Sequence, residues 1–351
     1  MEILKIGIIG CGGFGCQHLV GLKEQKRAEA VALYDVSEDA LKSLKEKYPC
    51  DLPSFTNLDE MFETVEMDAV IIASTDMTHR ENAEKAFAAG KHVLCEKPMA
   101  LTIEDCEAMI KAQKASGKKL MIGQICRMTP GFIEAKRLID EGVIGELFCV
   151  ESTYAHDYTP IVDKDSWRAD PLRHVVVGGA CHAIDLLRWI AGNPTETTAY
   201  STKKVIMDLP TDDTVEAIFK FPGNVIGRVL ASSGTKRPYT MRTEIFGTKG
   251  TILVDNTDGL ITVFGDDLSG GGKLLGGAYT SKHADSHVDA TLSYRVGLNN
   301  HNVVGEHTAF VEAILDGKPV PTDGYEGMAT VKVCRAVVKS ADEGHSVKIE
   351  Y

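Results

Sequence analysis

The sequence predicts an α/β chain with two domains. The first, over residues 1–123, is a doubly wound parallel sheet; the second, over 124–351, is an α+β domain on a large, mostly antiparallel, open sheet. Three observations carry this reading. In the first 123 residues short apolar runs alternate with helical patterns, as in DAVIIA at 68–73 followed by a helix. Strands that are apolar throughout are buried on both faces, the mark of a parallel sheet covered by helices. Beyond residue 123 strands follow strands, and TVEAIFKF at 214–221 alternates polar with apolar, as a strand with one solvated face does. The length of 351 residues also fits about two domains.

The elements follow in order. Residues 3–9 form a β-branched strand and 14–25 a helix. A second strand at 30–34 precedes a helix at 37–47 with Ser37 as N-cap. The third strand is 68–73, and the helix at 78–89 is ended by Gly90. Strands at 92–95 and 120–122 flank a helix at 103–116. A helix at 130–141 opens the second part. Strands are expected there at 147–154, 196–204, 213–221, 225–232, 242–246 and 250–255, interrupted by one long helix at 178–191. The glycine-rich stretch 269–278 reads as a mobile loop, and helices return at 306–315 and 325–343.

Composition excludes several classes of partner. Thirty-eight Lys plus Arg against 50 Asp plus Glu give a net charge of −12. A negative surface repels phosphate backbones and no basic run offsets it, so neither nucleic acid nor an anionic membrane is expected. No stretch approaches the ~20 apolar residues of a membrane span. The N-terminus has no cationic leader, and a glycine turn stands where a cleavage site would be. Nine cysteines, an odd number with no C-x-x-C pair, imply free thiols in a reducing cytoplasm rather than disulfides or a zinc site.

Gly10-Cys11-Gly12-Gly13-Phe14-Gly15 fits G-x-G-x-x-G between a strand and a helix, the context in which that pattern cradles a pyrophosphate. Gly10 permits the tight turn, Gly12 the close approach of phosphate, and Gly15 the packing of helix on strand; the helix N-terminus supplies N–H groups. Asp35 lies 20 residues past Gly15, at the end of the second strand. Its carboxylate can accept from both ribose hydroxyls and repels a 2′-phosphate, which favours NAD over NADP. The expectation is an NAD-binding Rossmann domain.

Cys95-Glu96-Lys97-Pro98 follows another strand. Ligands of open parallel sheets sit beyond the strands' carboxyl ends, so Lys97 is expected at the cofactor crevice. A fixed ammonium there can hydrogen-bond a substrate hydroxyl and stabilise a developing alkoxide. Taken alone, a lysine before a proline fits a surface turn as well.

The stretch 68–98, with Ala73-Ser74-Thr75-Asp76-x-x-His79 and Gly90-Lys91-His92-Val93-Leu94-Cys95-Glu96-Lys97-Pro98, resembles the Gfo/Idh/MocA oxidoreductase family. The resemblance covers essentially the whole chain and departs at Thr75, where members commonly carry proline. It implies sugar or inositol dehydrogenase chemistry with NAD, and a homodimer or homotetramer formed through the outer face of the open sheet. Around the cofactor it implies Ser74, Thr75, His79, Glu96, Lys97, Gln124 and Arg127 beside the glycine loop.

A second chemical signal is the helix Gly178-Gly179-Ala180-Cys181-His182-Ala183-Ile184-Asp185 and onward. A neutral imidazole can take a proton from a hydroxyl as hydride leaves the same carbon. Asp185 lies three residues on, on the same helical face, and can support the ring or bind substrate. A structural histidine is the competing reading of the residues; the resemblance assigns His182 to catalysis beside Lys97. Many dehydrogenating members carry Asp four residues before this histidine, and that position is Gly178 here. The proton relay is therefore open.

Other residues complete the candidate site. Tyr154, His156, Asp157, Trp167 and Arg168 form a polar–aromatic mixture that suits a sugar's C–H face and hydroxyls. Arg127 fits either a substrate contact or a structural ion pair. His283 and His287 have metal-ligand spacing, but no helix is evident there; a solvated or substrate loop is expected and no metal. His307 can reach the site from the C-terminal region.

The expected activity is reversible oxidation of a secondary alcohol on a sugar, glycoside or cyclitol. Lys97 would hold the hydroxyl, His182 would accept its proton, and NAD would take the hydride. The alternatives are a glycosidase-type cycle on retained NAD and a non-catalytic NAD- or sugar-sensing regulator.

Overall fold

The computed structural model describes residues 2–162, 165–265, 279–280, 290–296 and 302–351. The glycine-rich stretch 269–278 and the two-histidine segment 283–289 lie outside the described residues. The chain divides into two compact units, Met1–Gln124 with Asn302–Val331, and Ile125–His301 with Lys332–Tyr351. A single division after residue 123 therefore misses the return of Asn302–Val331 to the first unit.

The first unit runs β1 (Leu4–Ile9), α1 (Gly13–Leu22), β2 (Ala28–Tyr34), α2 (Glu38–Lys47), β3 (Ser54–Phe55), α3 (Leu58–Thr64), β4 (Ala69–Ile72), α4 (His79–Ala88), β5 (His92–Glu96), α5 (Ile103–Ser116) and β6 (Leu120–Gly123). All its strands are parallel, in the order β3-β2-β1-β4-β5-β6. The order reverses between β1 and β4, which opens a crevice at the carboxyl ends of those strands. Ile6, Ile8, Ile9 and the whole of β4 are buried, as fully apolar strands require. Ser37 caps α2 through its hydroxyl, which accepts the Ala40 N–H at 3.2 Å. The two-residue β3 and the seven-residue α3 are too short for periodicity to reveal.

The second unit begins with α6 (Pro130–Asp140) and β7 (Leu147–Ala155). It continues through α7 (Val175–Gly178), α8 (Cys181–Ala191), β8 (Glu196–Thr202), β9 (Thr214–Phe221), β10 (Val225–Ser232), β11 (Thr240–Gly247), β12 (Gly250–Asp255), β13 (Leu260–Gly265), β14 (Tyr279–Thr280) and β15 (Ala290–Arg295). With β16 (Val347–Lys348) these strands make a ten-stranded sheet, β14-β15-β13-β12-β11-β7-β10-β9-β8-β16. Only the β7–β10 pair is parallel. Helix α8 covers β7 and β10 on one face, and Gly227 makes room for it: a Cβ there would meet Leu187 at 3.2 Å. The expected alternation in β9 is present, with Val215, Ala217, Phe219 and Phe221 buried and Glu216, Ile218 and Lys220 exposed.

The long helix expected at 178–191 begins only at Cys181, as α8, and the short α7 ends before it at Gly178. A Cβ on Gly179 would lie 2.6 Å from the Tyr154 ring, so the chain yields at that glycine where a bulky side chain of β7 presses against it. Near the C-terminus, α9 (Val303–Leu315) packs on α1 within the first unit. Gly21 permits the approach, since a Cβ there would meet Val303 at 2.8 Å, and Arg27 grips Asp316 with two bonds of 2.8 Å. The last helix, α10 (Gly324–Glu343), carries Gly327 against Ile122 in the first unit and Ser340 against β8 in the second. Among the described residues no helix is long and apolar enough to cross a membrane.

Candidate active site

The glycine loop lies at the crevice, between β1 and α1. Gly10 has φ +93°, a left-handed conformation, and a Cβ on it would lie 2.5 Å from the Ser74 nitrogen. A Cβ on Gly15 would lie 1.9 Å from the Gly10 carbonyl oxygen. Those two glycines are needed for the turn itself. Gly12 and Gly13 differ: both are exposed, and a Cβ on either would meet nothing within 4 Å. The start of α1 also has no side-chain cap, so its N–H groups face an open cradle fit for a diphosphate. The Phe14 ring stands edge-on to His18 at 6.0 Å.

Asp35 stands at the rim with a divided carboxylate. One oxygen accepts the Cys11 N–H at 2.7 Å and the other the Ser37 N–H at 2.9 Å. Burial and the Asp35 charge push the Cys11 thiol up to about 12, so it stays a neutral thiol.

The loop after β4 forms the next wall. Ser74 accepts from Thr78 at 2.8 Å and from Asn82 at 3.1 Å through its hydroxyl. Thr75 has φ −69°, the angle a proline would impose, so its departure from the family pattern leaves the backbone path unchanged. His79, expected at the cofactor, is wholly buried. Its ring joins the Pro98 carbonyl at 2.9 Å to the Ser74 carbonyl at 3.3 Å, which ties this loop to the Lys97 turn.

Lys97 follows β5 in a cis peptide with Pro98 and is half-buried. Its backbone N–H donates to the Glu96 carboxylate at 3.2 Å. Glu96 was also expected beside the cofactor; instead it turns inward, where the His18 ring meets its other oxygen at 2.9 Å. Gln124, one residue past β6, is buried.

The second unit presents a separate constellation. His182 lies on the first turn of α8 and is almost fully buried, with 4% of its surface exposed. Asp185 lies three residues further along α8. It is fully buried and grips Arg127 with two bonds of 2.8 and 2.7 Å, and Arg188 lies 3.6 Å away. Arg127 also lies 6.0 Å from the Trp189 ring. The ion-pair alternative for Arg127 thus describes its geometry, because two charges this buried must pair.

Tyr154 is buried at the end of β7, its hydroxyl 2.6 Å from that of Tyr158; burial and that neighbour push its phenol well above the usual range. His156 stands edge-on to Tyr158 and Tyr239 at 4.8 and 5.1 Å. Two guanidinium groups lie over the Trp167 ring, Arg168 at 4.4 Å and Arg173 at 4.7 Å. Asp157 is held at about 2 by Thr159 and Lys236.

Sequence reasoning missed Arg173. A Cβ on Gly178 would meet its guanidinium carbon at 2.6 Å, and the Gly178 carbonyl accepts from it at 3.3 Å, so an arginine fills the space beside the missing aspartate. The signal for it was its place five residues before Gly178. It missed His18 as well, one helical turn past Gly15, and Glu306. His307, whose place the sequence left undecided, meets His18 at 2.8 Å in the first unit.

A Rossmann sheet with an open glycine cradle after β1 and a lysine at the end of β5, next but one to it, fits an NAD-dependent oxidoreductase. The comparisons agree. The family model described as an oxidoreductase family with an NAD-binding Rossmann fold matches residues 4–124, and the companion C-terminal domain model matches 132–253. The chain belongs to the Gfo/Idh/MocA family. Myo-inositol 2-dehydrogenase of Thermotoga maritima is 27% identical over 358 residues, 99% of each chain. A 2,7-anhydro-N-acetylneuraminate hydratase of Mediterraneibacter gnavus is 26% identical over 360 residues, 97% of this chain and 94% of that one. Levoglucosan dehydrogenase, solved with NADH and levoglucosan, shares the fold with a TM-score of 0.85 at 23% identity, over 99% of this chain and 100% of that one.

Proposed function

We propose that this enzyme oxidises a secondary alcohol of a sugar, glycoside or cyclitol, reversibly, with NAD as hydride acceptor. The observation that carries the reading is the placement of Lys97 at the carboxyl end of β5, next but one to the strand that ends in the open glycine loop. The family and the full-length likeness to an inositol dehydrogenase support the substrate class.

NAD, when bound, supplies the hydride acceptor. Gly12, Gly13 and the uncapped start of α1 would hold its diphosphate. Asp35 would hold the adenosine ribose and disfavour a 2′-phosphate, which makes NAD the preferred form. The Lys97 ammonium donates to the substrate hydroxyl and stabilises the negative charge that grows on its oxygen. His182 accepts the hydroxyl proton. The polar and aromatic groups Tyr154, His156, Trp167 and Arg168 bind the ring.

Nine free cysteines fit a reducing cytoplasm, and we place the protein there. The uncovered face of the ten-stranded sheet is proposed as the homo-oligomer interface.

Two observations favour a second reading, a redox cycle on retained NAD without net oxidation. One is Gly178 with Arg173 beside it; the other is the hydratase among the full-length relatives. One experiment separates the two. NADH absorbance and product analysis are followed over a panel of inositols, sugars and glycosides, with Lys97→Ala and His182→Ala singly and together. Dehydrogenation predicts NADH from at least one member and a loss of about 10²–10⁴ in kcat for each variant. The double variant should be far less than the product of the two losses, as for groups acting on one step. Product without NADH selects the second reading. No turnover on any member, with NAD binding intact, counts against both.

A further inference from the structure

Behind the Lys97 turn the first unit buries four titratable side chains. His18 comes from α1, Glu96 from the end of β5, and Glu306 and His307 from α9; three have no exposed surface and Glu96 has 7%. His307 Nε2 lies 2.8 Å from His18 Nδ1, and His18 Nε2 lies 2.9 Å from Glu96 Oε1. The other Glu96 oxygen accepts the Lys97 backbone N–H. Among the described residues neither Glu306 oxygen has a hydrogen-bond partner, although one lies within 4.8 Å of both His18 and Glu96. Gly123, paired with Glu96 across β5 and β6, makes room: a Cβ there would meet Glu306 Oε1 at 3.1 Å and Glu96 Cα at 3.2 Å.

Counting donors places the protons. A neutral imidazole has one N–H. If His307 donates through Nε2 and His18 through Nε2, both contacts are made, and the nitrogen left over is His307 Nδ1. The opposite pair of tautomers sets two acceptors 2.9 Å apart at Glu96, the costlier arrangement. The chain of donors therefore runs one way and ends on Glu96, as does the Lys97 N–H.

Charges agree with this direction. Burial pushes Glu96 upward, but the hydrogen bond from His18 and the attraction of Lys97 outweigh it and hold the carboxyl below its usual value. Burial and the Glu96 charge raise Glu306 well above the carboxylate range. Burial keeps His307 neutral, and the neighbouring Cys95 thiol is pushed up by burial and by Glu96. Of the two carboxyls, Glu96 is therefore the one that carries charge, next to Lys97.

We propose that His307, His18 and Glu306 are positioning residues for Lys97: the imidazole pair fixes Glu96 as the anion that holds the Lys97 backbone, and Glu306 stands beside it as a neutral acid that adds no second charge. This rests on the role given to Lys97 above, so two of its tests need no turnover. Infrared difference spectra between the wild type and Glu306→Gln, from about pH 6 to 9, should show a protonated-carboxyl stretch that the variant lacks. Its absence overturns the neutral acid. Hydrogen exchange at the Lys97 amide should be about ten-fold faster in His307→Phe, and unchanged exchange overturns the positioning chain.

The kinetic arm looks at the same chain. His307→Phe should lower kcat about ten-fold, leave the KM for NAD within about two-fold, and move the acid limb of the kcat profile to higher pH. The sign follows from Glu96, which loses the donor chain that favours its charged form. His307→Gln, which keeps an N–H donor, should restore most of both. A limb that stays in place in a folded, NAD-binding His307→Phe overturns the proposal, because a merely structural histidine would behave that way. A stoichiometric divalent cation lost in Glu306→Gln would also overturn it, making Glu306 a ligand instead. Absence of dehydrogenase turnover in the wild type would remove the reading of Lys97, while the spectra and exchange still decide the buried cluster.

Discussion

Asp35 serves two ends with one carboxylate. It accepts the Cys11 N–H of the glycine loop, which fixes the cradle, and in the proposed function it also reads the ribose. Asp35→Ser should therefore lower the ratio of kcat/KM for NAD over NADP by about ten-fold or more, and should also raise the KM for NAD, because the loop loses its anchor. Initial rates with both cofactors test this; an unchanged ratio removes Asp35 from cofactor selection. Asp185 invites the opposite kind of experiment. Asp185→Asn removes the charge that pairs with buried Arg127 and should cost about 3–5 kcal/mol of stability, read by urea unfolding. A loss under ~1 kcal/mol would mean that Arg127 reaches solvent or another anion. The contrast explains what could be read in advance. Gly10, Gly15, Asp35 and Lys97 are set by local backbone geometry, which spacing along the chain records. The inward turn of Glu96, the burial of His79 and the pairing of Arg127 with Asp185 depend on residues 58 or more positions away or on packing, and no local pattern records them.

At the scale of elements, alternation made β9 legible, whereas the break between α7 and α8 depends on a Tyr154 ring 25 residues upstream of Gly179. The start of β9 also carries a capping device that titrates. One Asp213 oxygen accepts the backbone N–H groups of Lys204, Val205 and Ile206 at 3.0, 2.7 and 3.0 Å, and the other accepts the Thr214 hydroxyl. Burial works against the charge, yet these donors prevail and hold Asp213 below its ordinary value. A carboxyl depressed in the folded state stabilises the fold above its unfolded value, near pH 4, and that contribution is lost as the pH falls through the folded value. Asp213→Asn should be less stable than the wild type at pH 7 by about 1.5–3 kcal/mol, with the gap narrowing below about pH 4. A gap of equal size at pH 7 and about pH 3 would assign the loss to packing rather than to charge.

At the scale of the whole molecule, the open sheet was legible as a class but not in its extent. β13, β15 and the two-residue β14 and β16 lengthen it beyond the six strands that alternation revealed, and Asn302–Val331 returns to the first unit without any break in composition. The sheet's outer face has a consequence for assembly. Tyr200, Ile218 and Ile226 share that face across β8, β9 and β10, with 73%, 57% and 55% of their surfaces exposed. Arg228 lies among them, bridged to Glu216 and Glu151, so the apolar groups sit within a charged but internally neutralised frame. Such a surface buries well against a second copy of itself, because the ion pairs travel as units and the isoleucines gain an apolar contact. Placing a lysine at Ile218 and at Ile226 adds two cations that a second copy would bring close to their own images. Light scattering on the size-exclusion peak should show the wild type as a dimer or tetramer and the double variant as a species of smaller mass, with a dissociation constant raised about a hundred-fold or more. An oligomer of unchanged mass in the variant, at concentrations near the wild-type dissociation constant, would move the interface off this face.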